Sequence, residues 1–184
     1  MDNSKHISAN EHLLHTFHYC PRCGSSRFVE NDERSKHCED CGFTYYINAS
    51  GAYVAFILNR KGELLVARRD REPAKGTLDI PGGFADPGET AEEGVAREVL
   101  EETGLQVTKT EYLFSIPNRY EFSGMTIPTL DLFFRCEVAD ETAVSAADDA
   151  AEVMWMPMEE VHPEGFGLKS VSEGVRRFVA QFQG

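Results

Sequence analysis

The sequence predicts an α/β fold, a sheet sandwiched between helices, with a small cysteine-rich module ahead of it. Three observations carry this expectation. Two C-x2-C pairs, Cys20/Cys23 and Cys38/Cys41, fall within one short polar stretch. From Gly51 onward, runs of β-branched and aromatic residues alternate with turn signals and with two stretches of helical apolar spacing. The order of these elements, strands, helix, strands, helix, suits neither an all-β nor an all-α domain.

The 184 residues suffice for one ordinary domain and a small module. Against 18 basic residues stand 31 acidic ones, a formal charge of −13. Such a field repels polyanions, so the bulk charge disfavours nucleic acid as a partner and suits divalent cations. The first residues carry no apolar stretch of signal-peptide length, and the longest apolar run, 53–58, is far too short for a bilayer. No membrane partner and a cytoplasmic location are expected.

Residues 1–16 read as a polar N-terminal arm with scattered histidines, and 17–48 as the cysteine module. Its two pairs, CPRCG and CEDCG, are separated by fourteen residues, and each is followed by glycine. Zinc takes four thiolates in a tetrahedron, and paired C-x2-C turns supply them. Two redox disulfides or four unrelated thiols are the competing readings, disfavoured without a secretory signal. The insert between the pairs is too short and polar to fold without metal. Four thiolates also leave no open position, so a Zn²⁺ held by Cys20, Cys23, Cys38 and Cys41 is structural. Cys136, in an apolar run, reads as core.

The remainder, 50–184, is expected to be one domain. Residues 53–59 and 63–69 read as strands joined at Lys61-Gly62, and 78–80 as a short strand broken by Pro81-Gly82-Gly83. A helix is expected from Thr90, with Thr90 and Glu93 at capping-box spacing, to a C′ glycine at Gly104. Strands are expected at 105–115, 128–138 and 153–156, with an acidic loop at 140–151. The chain closes on an amphipathic helix at 170–182, with Val171, Val175, Phe178, Val179 and Phe182 on one side.

On the central helix, a turn of about 100° per residue places Glu98, Glu101 and Glu102 in one arc beside Ala91, Val95 and Val99. Three carboxylates held against the partly buried side repel one another and lose solvation, and a bound cation relieves both. The alternative is a solvated face with i,i+4 pairs, which Glu93, Arg97 and Glu101 also fit. The preceding Gly82-Gly83 lets backbone approach a ligand, and its carbonyls suit a hard cation. Oxygen-only ligands point to Mg²⁺ or Mn²⁺ and to phosphoryl chemistry.

The segment from Gly83 to Leu105 resembles the signature of the Nudix hydrolase family, with Gly83, Glu89, Arg97, Glu98, Val99, Glu101, Glu102, Gly104 and Leu105 filling its defining positions. The resemblance implies an α/β/α sandwich around a mixed sheet over residues 50–184, and cleavage of a nucleoside diphosphate linked to another moiety. It implies that Glu98, Glu101 and Glu102 hold Mg²⁺ or Mn²⁺ with help from the Gly83 backbone, and that Glu89 and Arg97 brace the loop on the helix. The general base varies across the family, leaving Glu98, Glu101, Glu141, Asp148 and Asp149 as candidates.

A four-cysteine ribbon ahead of such a domain resembles the NADH pyrophosphatase subgroup and related FAD and ADP-ribose pyrophosphatases, which suggests AMP as a product and a homodimer. The SQPWPFPxS array that marks the NADH subgroup is degenerate at 115–123: Ser115, Pro117 and Ser123 agree and Tyr120 is conservative, but Asn118, Arg119 and Glu121 depart. In that stretch Tyr120 and Phe122 could stack on a base and Arg119 could meet a phosphate, or all three could simply pack in a strand. Arg68 and Arg69 are further candidates for a diphosphate, and strand alternation would turn only one of them inward. A nucleotide-sensing regulator is the alternative to an enzyme, and the intact carboxylates argue against it. Residues 1–50 hold five basic and seven acidic side chains, so the ribbon lacks the positive footprint of a nucleic-acid module.

Overall fold

A computed structural model describes residues 12–144 and 150–182. Its residue contacts divide the chain into two units: residues up to Ala49 together with Arg119–Pro128, and Ser50–Asn118 together with the chain from Thr129 onward.

In the first unit, strands β1 (Phe28–Asp32), β2 (Ser35–Cys38) and β3 (Thr44–Tyr46) form an antiparallel sheet in the order β1-β2-β3. Its buried centre is small: Cys20, Phe28 and Cys38, with Phe17, Cys41, Phe43 and Tyr45 packed around them. Each cysteine pair ends in a left-handed glycine, Gly24 (φ 75°) and Gly42 (φ 72°), whose N–H donates to the carbonyl of Cys20 or Cys38. These turns fold the thiols inward. The end of the expected arm is fixed as well, since Leu14 is fully buried and His12 Nε2 lies 2.6 Å from the Asp32 carbonyl.

The second unit carries two sheets. One has the order β4-β8-β7, with β4 (Ser50–Ile57) parallel to β8 (Met125–Val138) and β7 (Val107–Phe122) at its edge. The other has the order β6-β5-β9, in which β5 (Leu64–Arg69) is antiparallel to β6 (Leu78–Asp79) and to β9 (Ala150–Met156). Helices α1 (Ala91–Thr103) and α2 (Lys169–Phe182) complete it. Alternation along β4 explains the layering. Tyr53, Ala55 and Ile57 pack with Val95 and Val99 of α1, whereas Val54 and Phe56 pack with Val171, Val175 and Phe178 of α2. A strand buried on both faces and flanked by two helices is the expected α/β/α sandwich. Among the described residues, no helix is long and apolar enough to cross a membrane.

Three strand boundaries correct the expectation. β7 does not stop at Ser115 but runs to Phe122, because Ser123 (φ 50°) and Gly124 (φ 74°) make a two-residue turn of type I′ into β8. Pro117 is tolerated because β7 is an edge strand. β8 begins at Met125 rather than 128, and Pro128 fits because pairing with β4 starts only at Thr129. β9 begins at Ala150, inside the expected acidic loop, while 145–149 lie outside the described residues.

Candidate functional site

Helix α1 is anchored at both ends. Thr90 Oγ1 accepts from the Glu93 N–H at 3.2 Å, and Glu93 Oε2 accepts from the Thr90 N–H at 2.8 Å, a complete capping box. Gly104 closes the helix at φ 71°. The preceding loop is tied down by Arg97. Its guanidinium donates to both oxygens of Glu89, at 2.8 and 3.0 Å, and to the Phe84 carbonyl at 3.1 Å. Glu89 also accepts from the Asp86 N–H at 2.7 Å. These bonds hold the Glu89 carboxyl below the usual range, with Arg97 the largest cause, and push Arg97 further up.

Arg97 Nη1 also reaches Glu98 at 2.8 Å and Glu101 at 3.0 Å. Glu98 lies directly over Gly83, where a Cβ would come within 2.5 Å of its carboxylate. Glycine is required there for that approach. Glu102 accepts from the Gly82 N–H at 2.9 Å. Burial pushes Glu102 up to about 8; the Gly82 N–H opposes this, and the charges of Asp79 and Glu98 add to it. Burial raises Glu98 too, against Arg97. Two carboxyls shifted upward by burial mark a place poorly reached by water.

The expectation of three half-buried carboxylates holds for two. The Glu101 side chain is 53% exposed, against 14% for Glu98, because its position on the helix already faces solvent. The Gly83 carbonyl accepts from the Tyr53 N–H at 2.8 Å, leaving one lone pair for another partner. Of the paired arginines, Arg69 is the inward one. Half-buried Asp79 is its ion-pair partner, and the charge of Arg69 is felt at Glu102. Arg68 turns instead to Glu152 at 3.3 Å and to the Gly76 carbonyl at 3.0 Å.

Arg119, Tyr120 and Phe122 lie at the end of β7, in the stretch that groups with the first unit. The rings of Tyr120 and Phe122 stack at 6.5 Å, and Phe122 is 57% exposed. Glu141 accepts from the Arg60 N–H at 2.9 Å, and Asp148 and Asp149 lie outside the described residues.

Among the described residues, Cys20, Cys23, Cys38 and Cys41 form the only group of three or more His, Cys, Asp or Glu whose ligand atoms all lie within 4.8 Å of one another. Sulfur separations of 3.7 Å (Cys20–Cys41) and 3.6 Å (Cys23–Cys38) match the roughly 3.8 Å edge of a tetrahedron with Zn–S bonds of about 2.3 Å. The cluster fits a zinc ribbon.

Three groups escaped the sequence reading. Gly94 is needed in mid-helix because a Cβ would strike the Tyr53 ring at 2.1 Å and Glu89 at 2.6 Å. Asp79 is half-buried beside Arg69, and Asp131 is buried on β8. Their signal was a lone acid inside an apolar strand, in LDI and in TLDLFF.

A NUDIX domain profile matches residues 48–182. A protein from Chromobacterium violaceum named NAD-capped RNA hydrolase NudC is 38% identical over 103 residues, covering 56% of this chain and 38% of its own length. A protein of the same name from Stutzerimonas stutzeri is 32% identical over 138 residues, covering 74% of this chain and 47% of its own. The matches thus span less than half of these relatives. Among solved structures, a NUDIX hydrolase from Nitrosomonas europaea superposes with a TM-score of 0.69 at 20% identity, over 89% of this chain and 90% of that one.

Proposed function

The chain belongs to the Nudix family, and we propose that it is a Mg²⁺- or Mn²⁺-dependent pyrophosphohydrolase. Its substrate would be a nucleoside diphosphate linked to another moiety, of the NADH, FAD or ADP-ribose kind, cleaved to AMP and a phosphorylated product. The observation that supports this best is the pair Glu98 and Glu102, two carboxyls drawn out of water and pressed against Gly83 and Gly82.

Glu98, Glu101 and Glu102 are the residues that would hold the ion, with the free lone pair of the Gly83 carbonyl. When bound, it would supply Lewis acidity toward the diphosphate and a water of lowered pKa. Arg97 keeps Glu98 oriented through its 2.8 Å bond, and in this reading Glu98 would accept a proton from the attacking water. Glu89 acts through Arg97 and fixes the loop. Arg69, held by Asp79, brings positive charge to the inner edge of this site. The four thiols of the ribbon would hold a structural zinc. The relatives' names bring the capped end of an RNA into the substrate class as well, which bulk charge had set aside.

A panel of NADH, NAD, FAD, ADP-ribose, diadenosine polyphosphates and nucleoside triphosphates, with NAD-capped RNA added, tests this with Mg²⁺ or Mn²⁺. Release of AMP from a dinucleotide is the expected outcome, lost in Glu102→Gln by at least about 100-fold in kcat. Tight nucleotide binding without turnover of any compound would sink the reading in favour of a sensor.

A further inference from the structure

Asp131 stands inside an apolar strand, 5% exposed, with both oxygens taken by uncharged donors: Thr129 Oγ1 at 2.6 Å and Asn118 Nδ2 at 3.0 Å. A carboxylate only accepts hydrogen bonds, so this contact fixes the Asn118 amide with its nitrogen toward Asp131. Asn118 itself is only half-buried. Its second amide hydrogen and its Oδ1 have no protein partner among the described residues. The side chain is thus a pre-oriented edge with one donor and one acceptor side by side.

The sheet places that edge relative to the signature loop. Asn118 shares a face of β7 with Ile116, and Asp131 shares a face of β8 with Phe133. Asp131 is in register with Ala52 on β4, and Ala52 bridges to Phe84 in the loop. Loop, β4, β8 and β7 therefore lie side by side, three strand spacings or about 14 Å across.

We propose that Asn118, held in one orientation by Asp131, reads the nucleobase of the substrate as adenine. This rests on the pyrophosphohydrolase reading above and names the recognition element of that site. Adenine offers a ring-nitrogen acceptor next to an amino donor, which match the free N–H and Oδ1 of Asn118. On the N7 edge, where adenine presents N7 and its amino group, guanine and hypoxanthine offer two acceptors and leave Oδ1 unpaired. Asn118 is then a specificity-determining residue, and Asp131 a positioning residue that prevents the amide from flipping.

The test compares ADP-ribose with its hypoxanthine counterpart in the wild type, Asn118→Ala and Asp131→Asn, and measures AMP and IMP binding by calorimetry. The wild type should favour adenine by about 10- to 100-fold in kcat/KM, mostly through KM. Asn118→Ala should bring that ratio close to one. Asp131→Asn, which frees the amide to flip, should give an intermediate ratio. A wild type without preference, or a ratio unmoved by Asn118→Ala, overturns the inference. If neither compound is cleaved, the hydrolase reading is judged on the wider panel and binding still decides here. Equal AMP and IMP affinities then refute adenine reading, and a preference lost in Asn118→Ala upholds it.

Discussion

In the cysteine ribbon, buried Phe28 and a few half-buried aromatics pack around four thiols. In the Nudix domain, β4 separates two extensive apolar layers, one closed by α1 and the other by α2. The first unit has little apolar surface to offset the entropy of ordering its chain, and its four thiols are placed to bind a metal that would supply the difference. The second has apolar surface to spare, and can bury Glu98, Glu102, Asp79 and Asp131 at a cost in stability. Burial, which secures the domain, is also what shifts the carboxyls of its candidate site upward. The ribbon's four thiols fit a metal that would help it fold, whereas the domain folds around its own apolar layers.

The largest effect expected from this contrast is in the ribbon. Removing zinc, or changing Cys38→Ser, should melt residues of β1–β3, since structural zinc contributes on the order of 10–16 kcal/mol in small modules. Hydrogen exchange should show fast exchange in the ribbon and continued protection of β4 and β8. Equal loss of protection in both units would break the contrast. Next in size, Phe56→Ala should destabilise the domain by about 3–5 kcal/mol. Phe56 is fully buried and stacks on Phe178 at 4.1 Å. Chemical denaturation should record that loss while zinc content stays unchanged.

The smallest effect concerns pH. Glu102 rises from an ordinary 4.5 to about 8 in the folded, metal-free chain, so the folded state keeps a proton that the unfolded state has released. Its contribution is therefore fully present below about pH 4.5 and is lost as pH climbs toward 8. Denaturation with chelator present should show a fall on the order of 2–4 kcal/mol across that window. Glu102→Gln should flatten it, and an identical slope in the variant would show that other groups carry the dependence.

Much of this organisation is legible in the chain because its physics is local. The capping box at Thr90 and Glu93, the stop at Gly104 and the turns after each cysteine pair involve residues within a few positions of one another. Alternation along β4 and the helical spacing of Val171, Val175, Phe178 and Val179 reveal which residues are core. Local spacing does not show where partners arrive from elsewhere. The helical arc holds Glu98, Glu101 and Glu102 alike, yet the Glu101 side chain is left mostly in solvent. Strand alternation states that Arg68 and Arg69 diverge, but only the position of Asp79 shows that Arg69 turns inward.

By itself, then, the sequence determined the elements, the signature carboxylates and the ribbon thiols, since each follows from residue type and short-range spacing. Only the tertiary structure decided which carboxyls are buried, why Gly83 and Gly94 cannot carry a side chain, and that Asn118 meets Asp131 from a neighbouring strand. Those outcomes depend on desolvation and on contacts between residues distant in the chain, and both arise only once the sheet has formed.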